Sequence, residues 1–159
     1  MKLIPNFINN TEEIVQLCEQ YSDLFKPREG ADTHDGFLPK IHSRFKTLKN
    51  ENMPDDFFHL IFSTKNKWDF DTVNFWSFIQ IQRYDPGDYI VPHRDAYFVN
   101  KLHLISLTTS DCDGLVCEND NHELIHIPDL SGQYIDFPYD AIHFVPPVKQ
   151  RRYSIVVGM

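Results

Sequence analysis

The sequence has little cysteine, little positive charge and no long apolar run. Its three cysteines, Cys18, Cys112 and Cys117, are odd in number and lack CxxC spacing, which excludes a disulfide framework. No stretch approaches the roughly 18 consecutive apolar residues that cross a bilayer. Pro5 and several asparagines interrupt the N-terminal segment where a signal peptide would be apolar. These absences predict a protein of the reducing cytoplasm that makes no contact with a membrane.

Positive charge is scarce because 15 lysine and arginine residues face 23 acidic ones, which gives a formal net charge of −8. A protein that binds the phosphate backbone of nucleic acid needs clustered positive charge, so the composition argues against a nucleic-acid partner. The length of 159 residues fits one domain, residues 1–159, and 42% hydrophobic residues are enough for its own core. Composition leaves the oligomeric state open.

Helical patterns come first along the chain. After Asn10, apolar residues recur at the three- and four-residue spacing of an amphipathic helix. Asn10 and Glu13 have the spacing of a capping box, and Pro27 is predicted to end this helix. Pro54 opens a second predicted helix over residues 55–63.

Strand patterns fill the later part of the chain. Short alternating apolar runs separated by turn residues are typical of a sandwich or barrel. A turn is predicted at residues 85–88 and a hairpin at Asp113-Gly114. Helices followed by strands indicate an α+β domain with a jelly-roll (cupin-like double-stranded β-helix) core and N-terminal helices packed on one sheet. The predicted strands cover residues 75–84, 102–109, 115–117, 123–127, 134–137, 141–145 and 152–157.

Residues 26–50 form a basic segment that is broken by glycine and proline. Two interpretations stay open: the segment is a solvated loop, or it is a lid that faces the substrate, since long loops on a scaffold often carry function. Its cationic side chains are Arg28, His34, Lys40, His42, Arg44 and Lys46.

A His-x-Asp pair follows the turn at residues 85–88. His93 and Asp95 stand at the start of a predicted strand, where residues two apart point to the same face and can reach one metal ion. His143, on a late predicted strand, is the candidate third ligand. Two imidazoles and one carboxylate with an open side form the facial triad of non-haem Fe(II) oxygenases. The pattern therefore predicts an Fe(II) site.

An arginine and a serine share a face of the last predicted strand. Arg152 and Ser154 are two residues apart, and a guanidinium fork with a neighbouring hydroxyl matches a carboxylate. Arg151 points to the opposite face, where a surface salt bridge is expected.

The order His-x-Asp, distal His and Arg-x-Ser resembles the 2-oxoglutarate/Fe(II)-dependent dioxygenases. The segment 144–156, Phe-Val-Pro-Pro-Val-Lys-Gln-Arg-Arg-Tyr-Ser-Ile-Val, is similar to the ending of the prolyl-hydroxylase-like branch. Collagen-type members have lysine where this chain has Arg152, so the chain is nearer the short microbial members. Ser106 stands where the family often has tyrosine, and residues 26–72 match no known part of the family.

The resemblance implies roles for six residues. His93, Asp95 and His143 would be the catalytic iron ligands. The cosubstrate 2-oxoglutarate would have its distal carboxylate on Arg152 and Ser154, with Tyr84 close to it.

The same resemblance implies the reaction. It is hydroxylation of a peptide or protein side chain, with proline the favoured target, using O2 and converting 2-oxoglutarate to succinate and CO2. Ascorbate is a further candidate cofactor. Two alternatives stay open: a hydroxylase of a free amino acid or other small molecule, and a metal-binding jelly-roll module without turnover.

Overall fold

Two helices alternate with the first three strands of the described chain, and the remaining eight strands follow them. The structure is a computed structural model that describes residues 1–27, 43–68, 78–95, 101–138 and 140–158, with only the backbone of Lys101. The helices of this part of the chain are α1 (Thr11–Gln20) and α2 (Asp55–Ile61). Its strands are β1 (Lys2–Ile4), β2 (Lys26–Pro27), β3 (Lys46–Lys49), β4 (Phe78–Tyr84), β5 (Ile90–His93), β6 (Lys101–Ser106), β7 (Ser110–Glu118), β8 (Leu124–Asp129), β9 (Tyr134–Pro138), β10 (His143–Val145) and β11 (Arg152–Gly158).

The strands form two antiparallel sheets. The major sheet has seven strands in the order β1-β9-β6-β11-β4-β3-β2, and the minor sheet has four in the order β5-β10-β7-β8. Strands that are distant in sequence are therefore neighbours, as in a jelly roll. The predicted class, α+β with a double-stranded β-helix core, is confirmed.

The helices cover the outer face of the major sheet. Ile14 of α1 and Phe57 of α2 pack in one buried cluster with Tyr153, Ile155 and Val157 of β11. Fully burying an apolar side chain of this size contributes about 1.5–3 kcal/mol. The expectation that the helices pack on one sheet is confirmed.

A second cluster fills the space between the sheets. It takes Tyr84 and Val156 from the major sheet and Cys117 and Val145 from the minor sheet. Val156 and its neighbour Val157 belong to opposite clusters, which is the period-two alternation of a strand buried on both faces. Arg152 and Ser154 thereby fall on the inner face with Val156.

Helix α1 differs from its prediction at both ends. Asn10 precedes the helix, but its side chain makes no capping bond. It donates from Nδ2 to O of Leu60 at 2.8 Å and accepts from Nδ2 of Asn66 at 3.0 Å, so contacts to the α2 region replace the capping box. The helix ends at Gln20, before Pro27, because the chain tightens into a 3₁₀ turn at Ser22–Leu24 and then enters β2.

The predicted hairpin at Asp113-Gly114 is wrong, since both residues lie inside β7. The register with β8 shifts between Ser110 and Gly114, which is a bulge. The carboxylate of Asp113 accepts hydrogen bonds from the backbone N of Lys149 at 2.8 Å and of Gln150 at 3.2 Å. These long-range bonds hold the irregular backbone that the Asp-Gly pair requires, so the strand continues instead of reversing.

The turn at residues 85–88 forms as predicted. Backbone N of Asp88 donates to O of Asp85 at 2.8 Å, and backbone N of Asp85 donates to Oδ2 of Asp88 at 2.9 Å. Gly87 has a φ of +88°, a conformation that glycine adopts freely. The turn directs the chain from β4 in the major sheet to β5 in the minor sheet.

Part of the basic segment lies outside the described residues, namely Arg28, His34, Lys40 and His42. Of the rest, Arg44 donates from Nε to Asp88 at 2.7 Å, and Nζ of Lys46 lies 3.6 Å from Asp85. These two cations therefore tie β3 and its approach to the turn at residues 85–88. Neither described helix is long and apolar enough to span a membrane.

Candidate active site

The two histidines of the predicted metal site are direct partners across two strands. His93 ends β5, His143 begins β10, and the antiparallel register sets them opposite each other with ring centroids 4.2 Å apart. The next partner of His143 is Cys117 of β7, a member of the cluster between the sheets. The exposed fraction is 2% for His93 and 6% for His143. Both rings therefore lie at the interior face of the minor sheet.

Backbone carbonyls fix which nitrogen of each ring is available. Nδ1 of His93 lies 2.8 Å from O of Val91, and Nδ1 of His143 lies 3.0 Å from O of Ala141. A carbonyl oxygen can only accept, so each Nδ1 carries a proton and donates it. In the neutral ring Nε2 then keeps its lone pair, which is the form that binds a metal ion.

Asp95 turns its carboxylate toward both rings. Oδ2 lies 3.1 Å from Nε2 of His143, and Oδ1 lies 3.7 Å from Nε2 of His93. One ligand atom from each of the three residues lies within 4.8 Å of the other two. Two bonds of about 2.0–2.2 Å from one ion reach N and O atoms up to about 4.4 Å apart, which covers the 3.1 and 3.7 Å separations of Asp95 from the two rings. The arrangement is two imidazoles and one carboxylate on one side of a point, the donor set of the facial triad.

The local structure around His93 differs from the prediction in one respect. The sequence predicts His93 and Asp95 at the start of one strand. In the structure His93 is the last residue of β5, and Asp95 lies two residues beyond the end of that strand. The reason is that β10 begins at His143, so β5 has no pairing in this sheet beyond His93. Asp95 therefore approaches the two rings because of the path of the chain after β5. It does not do so by sharing a strand face with His93.

Two hydrogen bonds support the segments that carry the three candidate ligands. Arg94, between His93 and Asp95, donates from Nε to O of Asp140 at 2.7 Å. The carboxylate of Glu118 on β7 accepts from the backbone N of Ile142 at 3.1 Å. The chain before His143 is therefore fastened from both sides.

Cys117 of β7 is the strand partner of His143. Burial, together with the adjacent charge of Glu118, raises the pKa of this thiol to about 11. Cys117 does not belong to the group of described side chains whose ligand atoms converge, which is His93, Asp95 and His143. The donor set remains nitrogen and oxygen, which suits Fe(II) and excludes a thiolate zinc site.

Arg152 lies between the sheets with an internal partner, Asp129 of β8. Nε of Arg152 donates to Oδ2 of Asp129 at 2.7 Å and Nη2 donates to Oδ1 at 3.1 Å, and the side chains are 1% and 2% exposed. Burial by itself lowers the pKa of Arg152, but the charge of Asp129 and its hydrogen bonds outweigh this and raise the pKa. Removing one member of such a buried pair costs about 3–5 kcal/mol.

Hydroxyl and aromatic groups surround this pair. Nη1 of Arg152 donates to Oγ of Ser154 at 3.3 Å, and Oγ of Ser106 donates to Oδ1 of Asp129 at 2.9 Å. The guanidinium carbon lies 5.1 Å from the ring centroid of Tyr84, its cross-strand partner, which is within the range of a cation–π contact. The hydroxyl of Tyr84 donates to Oε1 of Gln82 at 3.0 Å.

The structure brings the predicted residues to two adjoining places. His93, Asp95 and His143 meet on the minor sheet, while Tyr84, Arg152 and Ser154 meet on the major sheet. Both groups face the space between the sheets, and Phe137 links them, since it belongs to the same cluster as Tyr84 and its ring centroid is 4.8 Å from that of His143.

Arg151, which immediately precedes β11, forms surface ion pairs, as predicted. Its guanidinium contacts Glu19 at 2.9 Å and Asp85 at 2.9 Å on the surface. Asp129 and Gln82 were not identified from the sequence. Period-two alternation could have found Asp129, because it lies two residues after Ile127, which is buried between the sheets.

No protein-family model matches the chain, and no curated protein matches it in sequence. Solved structures match it in fold. A prolyl-4-hydroxylase from Pseudomonas putida has a TM-score of 0.74 at 12% identity, over 99% of this chain and 91% of that one. A 2-oxoglutarate/Fe(II) oxygenase family protein from Burkholderia pseudomallei has a TM-score of 0.69 at 16% identity, over 98% and 83%.

A third similar structure is a prolyl hydroxylase from Trichoplax adhaerens, in complex with a peptide fragment of the oxygen degradation domain of hypoxia inducible factor. Its TM-score is 0.69 at 14% identity, over 99% of this chain and 81% of that one. At these identities the likeness establishes the fold. The chain has the fold of the prolyl-hydroxylase-like 2-oxoglutarate/Fe(II) oxygenases, as the sequence resemblance implied.

Proposed function

We propose that the protein is an Fe(II)- and 2-oxoglutarate-dependent oxygenase that hydroxylates a peptide or protein side chain, with proline the favoured target. The observation that carries the proposal is the convergence of His93, Asp95 and His143. Two strands and the segment after them bring both Nε2 atoms to one carboxylate, with ligand atoms within 4.8 Å of one another.

The donor set fits ferrous iron. His93 and His143 offer neutral Nε2 atoms because each Nδ1 donates to a carbonyl, and Asp95 offers an oxygen. Three protein ligands on one side leave the other side of an ion open for further ligands. These three residues would hold the iron.

The second group of residues fits the cosubstrate. Arg152 is a buried cation beside the hydroxyl of Ser154, and Tyr84 lies against it. These residues would hold the distal carboxylate of 2-oxoglutarate. When bound, iron and 2-oxoglutarate supply the activation of O2, with decarboxylation to succinate and CO2.

The protein contributes position and exclusion of water. Both iron-binding rings and Arg152 are almost entirely buried, so electrostatic contacts inside the site are stronger than in water. The carbonyls of Val91 and Ala141 hold the two rings in orientation, and Arg94 fastens the segment that carries Asp95. Ascorbate, as a reductant that keeps the iron ferrous, is part of the proposal.

A peptide substrate is favoured by the solved structures. The Trichoplax adhaerens enzyme holds a peptide in its structure, and the Pseudomonas putida protein is a prolyl-4-hydroxylase. Each shares the fold of this chain over nearly its whole length. Hydroxylation of a free amino acid or other small molecule is the alternative within the same chemistry.

The test is turnover with defined components. The iron-loaded protein is incubated with 2-oxoglutarate, O2 and ascorbate, together with proline-containing peptide pools or free amino acids. We expect succinate release that requires both iron and 2-oxoglutarate, and a peptide that gains the mass of one oxygen atom.

His143→Ala is the inactive control for this experiment. Oxidation of amino acids alone would support the small-molecule alternative. No succinate and no oxygen consumption with any substrate would leave a metal-binding module and reject the enzyme.

A further inference from the structure

The guanidinium that would bind the cosubstrate already has a carboxylate partner inside the protein. Asp129 is buried and takes two hydrogen bonds from Arg152 and one from Ser106. We propose that Asp129 sets the affinity of the Arg152 site for a carboxylate ligand by neutralising its charge. The inference rests on the proposed function for the identity of that ligand.

The guanidinium keeps N–H donors that Asp129 does not use. Asp129 takes the side edge of the fork, formed by Nε and Nη2. The end edge, formed by Nη1 and Nη2, points one donor at Oγ of Ser154. An arginine has five N–H donors, so a ligand carboxylate at the end edge can accept from both Nη atoms and from the serine hydroxyl. Asp129 and the ligand then share one cation.

Charge makes this sharing unfavourable. Arg152 and Asp129 together are neutral, and a ligand carboxylate leaves the buried group with one net negative charge. Two carboxylates on adjacent edges of a guanidinium are roughly 5 Å apart, and in a buried site their repulsion weakens ligand binding by roughly tenfold to a hundredfold. Asp129 thus lowers the affinity while it holds the fork of Arg152 in place.

Asp129 is held rigidly enough to have this effect. It lies on β8 of the minor sheet and reaches across the core to β11 of the major sheet. The hydroxyl of Ser106 donates to the same Oδ1 that accepts from Nη2, so its carboxylate is fixed from two sides. A fixed internal charge cannot turn away when a ligand arrives.

The decisive variant is Asp129→Asn, which keeps the shape and removes the charge. The iron-loaded protein is titrated with 2-oxoglutarate without O2 by calorimetry. The stabilisation of the metal-free protein by 2-oxoglutarate is measured by thermal unfolding. We expect the variant to bind 2-oxoglutarate at least tenfold more tightly and to gain more thermal stability from it than the natural protein.

Two controls isolate the charge on this fork. Asp113→Asn removes another buried carboxylate, which accepts from Lys149 and Gln150 and acts on Arg152 only through its charge, so it should raise 2-oxoglutarate affinity by much less than Asp129→Asn. With 2-oxobutyrate, a keto acid that has no distal carboxylate, Asp129→Asn should give no gain.

The outcomes separate the two proposals. If the natural protein binds 2-oxoglutarate and Asp129→Asn binds it equally or more weakly, the role of Asp129 is wrong while the proposed function stands. If neither protein binds 2-oxoglutarate, both fail. Should Asp129→Asn not fold, Ser106→Ala loosens Asp129 by one hydrogen bond. It should tighten binding by less than tenfold, and no tightening overturns the inference.

Discussion

His93 and His143 stand opposite each other in the register of β5 and β10, and each donates from Nδ1 to the carbonyl two residues before it. Both rings are therefore oriented by the same type of hydrogen bond, from Nδ1 to the backbone carbonyl two residues earlier. A metal ion at their Nε2 atoms would therefore join two segments that are 50 positions apart in the chain.

Replacing His143 by alanine should abolish tight iron binding. Loss of a supporting partner of a metal ligand already costs about ten- to a hundredfold in affinity, and loss of a ligand costs more. The measurement is iron affinity by competition with a chelator, together with circular dichroism to show that the fold remains. His126→Ala is the matched control, because His126 is an exposed residue of β8. Equal damage from the control would refute the ligand assignment.

Replacing Arg152 by lysine should weaken 2-oxoglutarate binding, whereas Arg151→Lys should not. Lysine keeps the charge but loses the fork, and one lost bond to a charged group costs about 1.5–3 kcal/mol, roughly ten- to a hundredfold in affinity. The measurement is titration of the iron-loaded variants with 2-oxoglutarate, followed by the charge-transfer absorption band.

The paired arginines also differ in stability. Arg152→Lys disturbs a buried pair with Asp129, while Arg151→Lys changes a surface contact to Glu19 that is worth at most about 1 kcal/mol. Denaturant unfolding of the two variants checks this difference. A larger loss for Arg151→Lys would mean that the face assignment of β11 is reversed.

Glu19 should make stability depend on pH in the acid range. Burial raises the pKa of its carboxyl, but hydrogen bonds from Tyr153 and Arg151 outweigh this and lower the pKa below its ordinary value of 4.5. A lowered pKa in the folded state means that the stabilisation is complete above pH 4.5. It is lost as the pH falls through the folded-state value.

Glu19→Gln tests this dependence. The variant should lose about 1 kcal/mol or less at neutral pH, because the contact is half exposed, and should show a flatter fall in the free energy of unfolding below pH 4.5. Urea unfolding at a series of pH values measures both effects. Glu51→Gln, at another exposed carboxylate, is the control, and an unchanged acid limb in Glu19→Gln would contradict the assignment.

Gly114 should be intolerant of any side chain. Its φ is +153°, and a Cβ would lie 2.1 Å from the carbonyl O of Ile127 on β8. The backbone conformation alone costs a non-glycine residue about 1–3 kcal/mol, and the clash adds to this cost. Gly114→Ala is expected to lower the free energy of unfolding by more than Gly87→Ala. At Gly87, with a φ of +88°, the new Cβ would meet only the flexible end of Arg44. Equal losses would show that β7 and β8 can separate at the bulge.

The sequence correctly predicted the features that depend on residues close together in the chain. The alternation in β11 correctly separated Arg152 from Arg151, because both faces of that strand are buried or paired in a strict period of two. Pro86-Gly87 correctly marked a turn, since glycine adopts its φ of +88° at little cost.

Long-range hydrogen bonds account for what the sequence missed. Asn10 has the composition of a helix cap but uses its amide on Leu60, 50 residues away. Asp113 has the composition of a hairpin turn but binds the backbone 36 residues later. Alternation could place Asp129 on the inner face of its strand, but its pairing with Arg152, 23 residues away, follows from the packing of the two sheets.

The place of β11 in the major sheet has a consequence for how the protein is made. This strand, the last one described, lies between β4 and β6 and carries Arg152 and Ser154. During synthesis, β4 and β6 leave the ribosome long before the strand that must separate them. Pairing of such distant segments is slow, and edges that wait unpaired can join other chains. The edges of β4 and β6 that face β11 should therefore stay unpaired until residues 152–158 have been synthesised.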